Sequence, residues 1–212
     1  MDSVSLKDAG PIVADMAAVI VEHAAYLSEI DGAIGDGDHG INMSKGFRRA
    51  GERLGPHPPD LAQGFATLGE TLLDEIGGST GPLYGSFFLD MAASLKGRDA
   101  IDRDSFGAML HAGVAAVIDL GGAKTGDKTL VDVLAPAVAT YDEAAAKGEP
   151  FHTCLEALDR ASEAGLEATR DMVARIGRAS RLGERSRGHL DAGAASCRML
   201  LGALSRGLRR HL

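Results

Sequence analysis

Three aspartates lie close together near the N-terminus, in the segment Asp31-Gly32-Ala33-Ile34-Gly35-Asp36-Gly37-Asp38-His39-Gly40-Ile41-Asn42. The glycines at positions 35, 37 and 40 allow the backbone to curl, so that Asp36 and Asp38 can turn inward together. Carboxylates this close repel one another unless a cation lies between them. Hard oxygen ligands without a zinc-type set of histidines or cysteines suit Mg²⁺ shared with phosphate groups. The pattern predicts a metal site, with an Asp-Gly-rich surface turn as the alternative.

Two further glycine-rich segments, 77–85 and 121–129, carry groups that could contact a phosphate. Ser79 and Thr80 can either cap the following helix or donate to a phosphate oxygen. The second segment differs by one residue from the phosphate-binding pattern GxxxxGK[ST], because Asp127 separates the second glycine from Lys128, and no strand precedes it. Lys124 and Lys128 either reach a phosphate or remain solvated surface lysines.

A fourth glycine-rich segment, 177–193, carries four arginines within ten residues, at positions 178, 181, 185 and 187. In an acidic chain this is the one concentrated positive site, and the arginine fork binds phosphate through two hydrogen bonds. The alternative is a solvated loop whose arginines pair with surface carboxylates.

Apolar residues recur at helical spacing along most of the chain, and alternating strand patterns are missing. The periodic segments are 12–27, 39–54, 61–72, 83–95, 106–117, 130–141, 155–165 with an extension that could reach Met172 and Ile176, and 195–204. Short connections at 55–60 and 97–99 favour antiparallel neighbours. We therefore predict an all-α fold, a single domain over 1–212, built as an up-and-down barrel or bundle of about eight antiparallel amphipathic helices.

The chain has 28 glycines, too many for helix interiors, where each costs about 1 kcal/mol relative to alanine. They concentrate in the four segments described above, each of which precedes a helix. Every second loop of an up-and-down bundle lies at the same end, so these four helix N-termini can face one another. Free N–H groups and partial positive charge at such termini favour an anion, which predicts a phosphate site.

Composition excludes several classes of protein. The chain has 212 residues, 45% of them hydrophobic, a formal net charge of −8 and two cysteines. The negative charge argues against a nucleic-acid partner, since a polyanion is held mainly by lysine and arginine. No uncharged apolar run reaches the ~18 residues of a membrane span, and the first ten residues lack the apolar stretch of a secretory signal. We expect a cytoplasmic protein that binds neither nucleic acid nor membrane.

Four motifs together carry a family resemblance: IGDGDHGINM at 34–43, the segment 77–86 with its GPLYGS core, GDKT at 126–129 followed by Asp132, and the segment 177–196. In this order, over residues 31 to about 196, they resemble the nucleotide-binding L subunit of dihydroxyacetone kinases, the DhaL family. The resemblance implies a barrel of eight antiparallel helices with the nucleotide at one end. It also implies phosphorylation of dihydroxyacetone, or of a close short-chain hydroxyketone, which a separate K subunit holds through a covalent bond to its own histidine. The chain alone would then be inactive on free sugar.

The resemblance also implies roles for individual residues, with ATP or ADP and two Mg²⁺ ions as cofactors. The implied metal ligands are Asp31, Asp36 and Asp38. The implied nucleotide contacts are His39, Gly40, Asn42, Ser79, Thr80, Gly121, Arg178, Asp191, Ala192 and Gly193. Arg178 is also the catalytic candidate, because it neutralises charge on the transferred group, and the general base is expected on the partner subunit.

Three positions depart from the family pattern. The family usually has proline where this chain has Ala192, an aromatic residue at Arg181, and Ala-Ser at Ser79-Thr80. Loss of the proline ring removes a rigid element from that loop. These changes leave the three aspartates in place and bear on nucleotide affinity and sugar choice.

The sequence leaves the phosphoryl donor and the sugar open. In one branch of the family ADP stays bound and is rephosphorylated by a phosphotransferase-system protein, and in the other ATP exchanges freely. A tetrulose such as erythrulose is the alternative substrate. Outside enzymes, the alternative is a non-catalytic helical nucleotide-binding interaction module, which would explain the apolar stripes but not the aspartate cluster.

Overall fold

The computed structural model describes residues 2–55 and 60–212, and most of them are helical. The helices are α1 (Leu6–Ala9), α2 (Ile12–Glu22), α3 (Ala24–Ile34), α4 (His39–Leu54), α5 (Leu61–Glu75), α6 (Thr80–Ser94), α7 (Arg103–Gly121), α8 (Val131–Ala146), α9 (Phe151–Ala168) and α10 (Ala192–Arg209). The all-α prediction is confirmed. The predicted connection at 55–60 includes residues 56–59, which lie outside the described residues.

Eight of these helices form a closed ring. Helix α2 packs against α4, each helix from α4 to α9 packs against the next, and α10 packs against both α9 and α2. The predicted barrel of about eight amphipathic helices is thereby confirmed. Helix α4 shows how the pattern produces the packing: Met43, Phe47, Ala50 and Leu54 recur at helical spacing and are buried, while Arg49 on the opposite face is exposed.

Aromatic side chains fill part of the interior of the barrel. Phe88 is fully buried, stacks on Phe65 with the ring centroids 5.6 Å apart, and meets the edge of Phe47 at 6.3 Å. These three rings come from α6, α5 and α4, so their contacts link three consecutive helices of the ring. Offset and edge-on ring pairs add about 0.5–1.5 kcal/mol each beyond the apolar area that they bury.

The first predicted segment, 12–27, is not one continuous helix, and that prediction is wrong. The chain bends at His23, whose φ and ψ of −97° and 15° end α2 and begin α3. The backbone N–H of His23 donates to the Val19 carbonyl oxygen at 3.2 Å, and the His23 ring donates from Nδ1 to the same oxygen at 2.9 Å.

The extension of the 155–165 segment to Met172 and Ile176 is also wrong. Helix α9 ends at Ala168 and is followed by a 3-10 turn, Thr169–Asp171, after which Met172 is extended. Thr169 is buried; its hydroxyl donates to the Leu166 carbonyl oxygen and accepts from the backbone N–H of Asp191. This link to the start of α10 draws the chain out of the helix axis.

One small sheet was not predicted. Strands β1 (Ser3–Ser5) and β2 (Ala100–Asp102) pair antiparallel, with Val4 opposite Ile101 and both side chains buried. Strands of three residues are too short to show alternation in a sequence. Strand β1 precedes α1, and strand β2 lies between α6 and α7.

Within residues 2–55 and 60–212, no single helix is long and apolar enough to cross a membrane. The stretch Leu6–Glu22, which contains α1 and α2, and helix α3 meet that criterion only as a pair, bent by 55°.

Candidate functional site

The four glycine-rich segments meet at one end of the barrel and line a cavity of about 520 Å³. Helices α4, α6, α8 and α10 all begin at this cavity, with His39, Thr80, Leu130 and Ala192 in its wall. The structure therefore brings together the four helix N-termini that the loop spacing placed at one end. Their unpaired N–H groups and partial positive charge make this end suitable for phosphate.

The three aspartates converge in this cavity. One carboxylate oxygen from each of Asp31, Asp36 and Asp38 lies within 4.8 Å of the other two. Asp31 belongs to the last turn of α3, and its Oδ2 accepts from the backbone N–H of His39 at 3.3 Å. Asp38 occupies the N-cap position of α4, but its side chain makes no capping hydrogen bond, so its carboxylate remains available. Three hard oxygen donors at this spacing fit Mg²⁺.

Glycine is required between these aspartates for two reasons. Gly37 has a φ of +77°, a region that side chains with a Cβ rarely adopt. At Gly35 a Cβ would clash with the Asp31 carboxylate. The loop can therefore bring the three carboxylates together only with these glycines in place.

Arg178 faces the aspartates from the other side of the cavity. It begins the 3-10 segment Arg178–Ser186, and its Nη1 pairs with the Asp36 carboxylate. Gly177 precedes it with a φ of +73° and turns the chain toward the cavity. One guanidinium opposes three carboxylates here, so the cluster retains negative charge that divalent cations would neutralise.

A hydrogen-bond network links three of the helix N-termini behind the aspartates. His39 Nε2 lies 3.0 Å from Ser196 Oγ, and the Tyr84 hydroxyl lies 2.7 Å from the same oxygen and donates to the Gly193 carbonyl oxygen at 3.1 Å. Burial lowers the pKa of His39, against the opposing effect of Asp31, and therefore favours the neutral ring. The contact with Ser196 makes the His39 ring part of this network, and a nucleotide contact by His39 stays a prediction.

Asp191 caps α10 and also lines the cavity. Its Oδ2 accepts from the backbone N–H of Ala194 at 2.7 Å. Desolvation raises the pKa of Asp191 to about 6, against the opposing effects of the Ala194 hydrogen bond and of Lys128. Ala192 is the first residue of α10, where a proline would omit only an N–H that the helix leaves unpaired. The cap at Asp191 thus orders this turn without the proline ring.

Ser79 and Thr80 both line the cavity at the start of α6. Ser79 stands at the N-cap position, yet its side chain makes no capping hydrogen bond. Of the two alternatives drawn from the sequence, capping is not observed for Ser79, and phosphate contact stays a prediction. Gly121, at the end of α7, forms another part of the wall.

Eleven of the thirteen residues implied by the family resemblance line the cavity. They are Asp31, Asp36, Asp38, His39, Ser79, Thr80, Gly121, Arg178, Asp191, Ala192 and Gly193. Gly40 and Asn42 do not line it. Gly40 is buried against the Ala24 carbonyl oxygen and Ser28, which leaves no room for a Cβ and lets α3 and α4 approach closely.

Sequence reasoning missed two features of the wall. An apolar set, Leu83, Val117, Leu120 and Ile176, borders the cavity. The helical spacing of Leu83 and Val117 had indicated core positions only. Lys128 is buried rather than solvated, because its ammonium group donates to three backbone carbonyl oxygens. The solvated alternative is therefore wrong for Lys128. Lys124 is exposed, as that alternative predicted.

The chain is similar to known proteins of one family. A family model described as the DAK2 domain matches residues 33–206. The chain is 39% identical over 95% of its length, and 94% of the relative's, to the ADP-binding subunit DhaL of PEP-dependent dihydroxyacetone kinase 2 from Listeria innocua. It is 39% identical over 85% of its length, and 86% of the relative's, to the corresponding subunit from Escherichia coli.

A solved structure shows the same fold. The dihydroxyacetone kinase of C. freundii in complex with AMP-PNP and Mg²⁺ superposes with a TM-score of 0.69 at 28% identity, over 93% of this chain and 33% of that one. Helix arrangement, motif order and sequence identity agree with one another. The chain therefore belongs to the DAK2 domain family, among the L subunits of dihydroxyacetone kinases.

Proposed function

We propose that this chain is the nucleotide-binding, phosphoryl-donating subunit of a kinase for dihydroxyacetone or a close short-chain hydroxyketone, working with a separate sugar-binding K subunit. The observation that carries the proposal is the convergence of three carboxylates and Arg178 on four helix N-termini. The names of the relatives, which are kinase subunits that bind ADP, support it. The proposed functional unit is the whole chain, 1–212, as a single domain.

Phosphoryl transfer requires position and charge neutralisation more than covalent chemistry from the protein. Two Mg²⁺ ions, held by Asp31, Asp36 and Asp38, would neutralise the phosphate oxygens and fix their positions. The Arg178 guanidinium would donate hydrogen bonds to the transferred phosphoryl group and neutralise part of its charge. The N–H groups at the starts of α4 and α6 would bind the other phosphate oxygens.

The other lining residues fit the rest of a nucleotide. The apolar set of Leu83, Val117, Leu120 and Ile176 offers a surface for the nucleotide's adenine ring. The residues that would border the adenine and the ribose are Asp191, Ala192 and Gly193. The proposed contacts from the cavity wall are completed by Ser79, Thr80, Gly121 and His39. Gly40 and Asn42 do not line the cavity, so the contacts that the resemblance implies for them are left out of the proposal. A general base is expected on the sugar-binding partner.

We propose ADP as the resident nucleotide, rephosphorylated by a phosphotransferase-system protein. The support is that both similar L subunits are described as PEP-dependent and ADP-binding. Retention of ADP through gel filtration is the expected result, whereas complete loss of ADP with turnover on free ATP would favour the other branch. Parallel measurements of the phosphorylation rates of dihydroxyacetone and erythrulose, in the presence of the K subunit, determine which sugar is the substrate.

The proposed location is the cytoplasm. Cys154 and Cys197 are both unpaired and buried, which suits a reducing compartment.

The decisive experiment is a calorimetric titration with MgADP of the chain freed of any resident nucleotide, repeated on Asp36→Asn. Wild type should bind, and the variant should bind far more weakly, with phosphoryl transfer in the presence of the K subunit slowed on the order of 10²-fold or more. Asp74→Asn is the matched control, because Asp74 is exposed on α5 and pairs with Arg53 away from the cavity.

Two outcomes would overturn the proposal. One is a wild-type chain that does not bind MgADP. The other is a chain that binds MgADP but supports no transfer with any K subunit, which would favour a non-catalytic nucleotide-binding module.

A further inference from the structure

Lys128 is a lysine with its charged end inside the protein. The residue is only 2% exposed, and its Nζ donates to the carbonyl oxygens of Ser186 and His189 at 2.7 Å each and of Met172 at 3.2 Å. An ammonium group has three N–H donors, so these contacts use all of them. Within the described residues it forms no salt bridge with a carboxylate.

Two costs accompany this arrangement. Burial of a charge is unfavourable unless hydrogen bonds or an opposite charge compensate for it, and desolvation accordingly lowers the pKa of Lys128. Its backbone has a φ of +63°, and it is the one non-glycine residue with positive φ in 2–55 and 60–212. An apolar side chain would fill the same space without the buried charge. Such strain points to a function for the ammonium group itself.

The three acceptors lie in one excursion of the chain, residues 172–190, which we name the arginine arm. Met172 lies at its beginning, and Ser186 and His189 lie near its end, so Lys128 joins the two sides of its base. The backbone N–H of Arg175 donates to the Asp127 carbonyl oxygen at 3.1 Å, and so adds a second bond to the same loop.

The loop that presents Lys128 is itself fixed. The buried Asp132 carboxylate accepts from the backbone N–H groups of Gly126 and Thr129, at 2.5 and 2.8 Å. Lys128 therefore extends from a rigid turn at the start of α8. The arginine arm is held against that turn, and Arg178 on the arm reaches across the cavity to Asp36.

We propose that Lys128 is a positioning residue, which clamps the base of the arginine arm and thereby holds Arg178 over the phosphate end of the cavity. The inference rests on the proposed function, since it assigns Arg178 to the phosphates. Lys128 acts through the arm and makes no contact with phosphate, because its three donors are occupied by carbonyl oxygens.

A double-mutant cycle on MgADP affinity tests the proposal. Lys128→Met and Arg178→Ala should each weaken binding about tenfold or more, and the double variant should bind within about twofold of Arg178→Ala alone, since both changes remove the same contact. Lys124→Met is the matched control: it removes the same charge from an exposed position of the same loop, and it should bind as wild type does.

The outcomes separate the two proposals. If wild type does not bind MgADP, the proposed function fails. If wild type binds and a folded Lys128→Met variant binds equally well, the clamp is refuted. The clamp is refuted as well if the two losses multiply in the double variant, because Lys128 would then act independently of Arg178.

A second measurement uses the unmodified sequence and does not depend on the folding of a variant. Acetylation of lysines, followed by mass spectrometry, should label Lys128 at least about tenfold more slowly than Lys124, because labelling requires the arm to open. Addition of MgADP should slow the labelling of Lys128 further while leaving Lys124 unchanged. Equal labelling rates for the two lysines, or no effect of MgADP on Lys128, would contradict the clamp.

Discussion

Individual polar residues at the cavity end are kept in protonation states set by burial. Desolvation lowers the pKa of His39 and raises the pKa of Tyr84 well above its usual value, so both side chains are neutral near pH 7. Asp191 differs, because its raised pKa of about 6 leaves it mainly ionised at pH 7 although it is poorly solvated. Ionisation of the buried Asp191 carboxylate therefore destabilises the fold.

Asp191→Asn should stabilise the chain in a pH-dependent way. The folded pKa lies above the unfolded value, so the folded chain binds the extra proton between pH about 4 and 6, and stability falls as pH rises through that window. Asparagine retains the cap without the charge. Denaturant unfolding without nucleotide should show an advantage for the variant that grows by about 1–2 kcal/mol between pH 5 and 8, toward at most about 3 kcal/mol.

Asp102→Asn provides the control of opposite sign. Asp102 also caps a helix, α7, but hydrogen bonds from Ser105 lower its pKa. This carboxylate stabilises the fold above its unfolded pKa, so its replacement should give no gain at pH 8. An Asp191→Asn variant whose unfolding free energy equals that of wild type at every pH would show that the ionised Asp191 carboxylate does not destabilise the fold.

Tyr84→Phe should weaken both the fold and nucleotide binding. The change removes the hydroxyl that joins α6 to Ser196 and Gly193 of α10, at a cost of about 1–2 kcal/mol in unfolding free energy. MgADP binding should weaken about fivefold by calorimetry, because two helix N-termini lose their mutual hydrogen bonds. Tyr141 is also a buried tyrosine, and its hydroxyl donates to the Arg103 carbonyl oxygen, so Tyr141→Phe should lower stability alone. Equal effects of the two variants on affinity would exclude a role for Tyr84 at the site.

At the scale of elements, helix α4 depends on where its glycines lie. Gly40 faces the Ala24 carbonyl oxygen of α3 at a separation that admits no Cβ, whereas Gly51 has space around it, with only the Ala17 Cβ at 4.0 Å. Gly40→Ala should therefore destabilise the chain by about 3 kcal/mol or more through overpacking. Gly51→Ala should stabilise it by up to about 1 kcal/mol through helix propensity. Thermal unfolding of the two variants measures both effects, and a tolerated Gly40→Ala would contradict the close contact of α3 and α4.

Helices were predictable where one apolar stripe determines packing, as in α4, whose buried residues all follow the helical period. The bend at His23 and the end of α9 were not, because they depend on a ring bonded to one carbonyl oxygen and on a threonine that meets Asp191. The clustering of Asp31, Asp36 and Asp38 followed from local spacing, and the convergence of the four loops followed from the alternation of helices.

The place of Lys128 could not be predicted from the sequence in the same way. Its acceptors lie 44, 58 and 61 residues further along the chain, and nothing in the local pattern 126–129 specifies them. The local resemblance to a phosphate-binding loop suggested that the Lys128 side chain contacts a phosphate. In the structure its ammonium group instead donates to carbonyl oxygens of the arginine arm.

At the scale of the whole molecule, the cavity joins segments from around the closed ring. A ligand bound in this cavity would contact the starts of α4, α6, α8 and α10 at once, so we expect it to bind the folded chain only. MgADP at about 100 times its Kd should raise the unfolding free energy by about 2.7 kcal/mol, which corresponds to a rise in Tm of about 5–10 °C for a chain of this size. Differential scanning fluorimetry with and without EDTA checks this. A shift that persists in EDTA would contradict a metal-dependent site.

The alternation of helices also separates the two ends of the barrel. Helix α8 begins at the cavity with Val131 and runs for 16 residues to Ala146, roughly 24 Å at 1.5 Å per residue. The exposed turn at 147–149 that follows it is thus remote from the cavity. A surface tether or a fluorescent dye attached at that turn would allow single molecules to be immobilised and observed while nucleotide arrives and leaves unhindered.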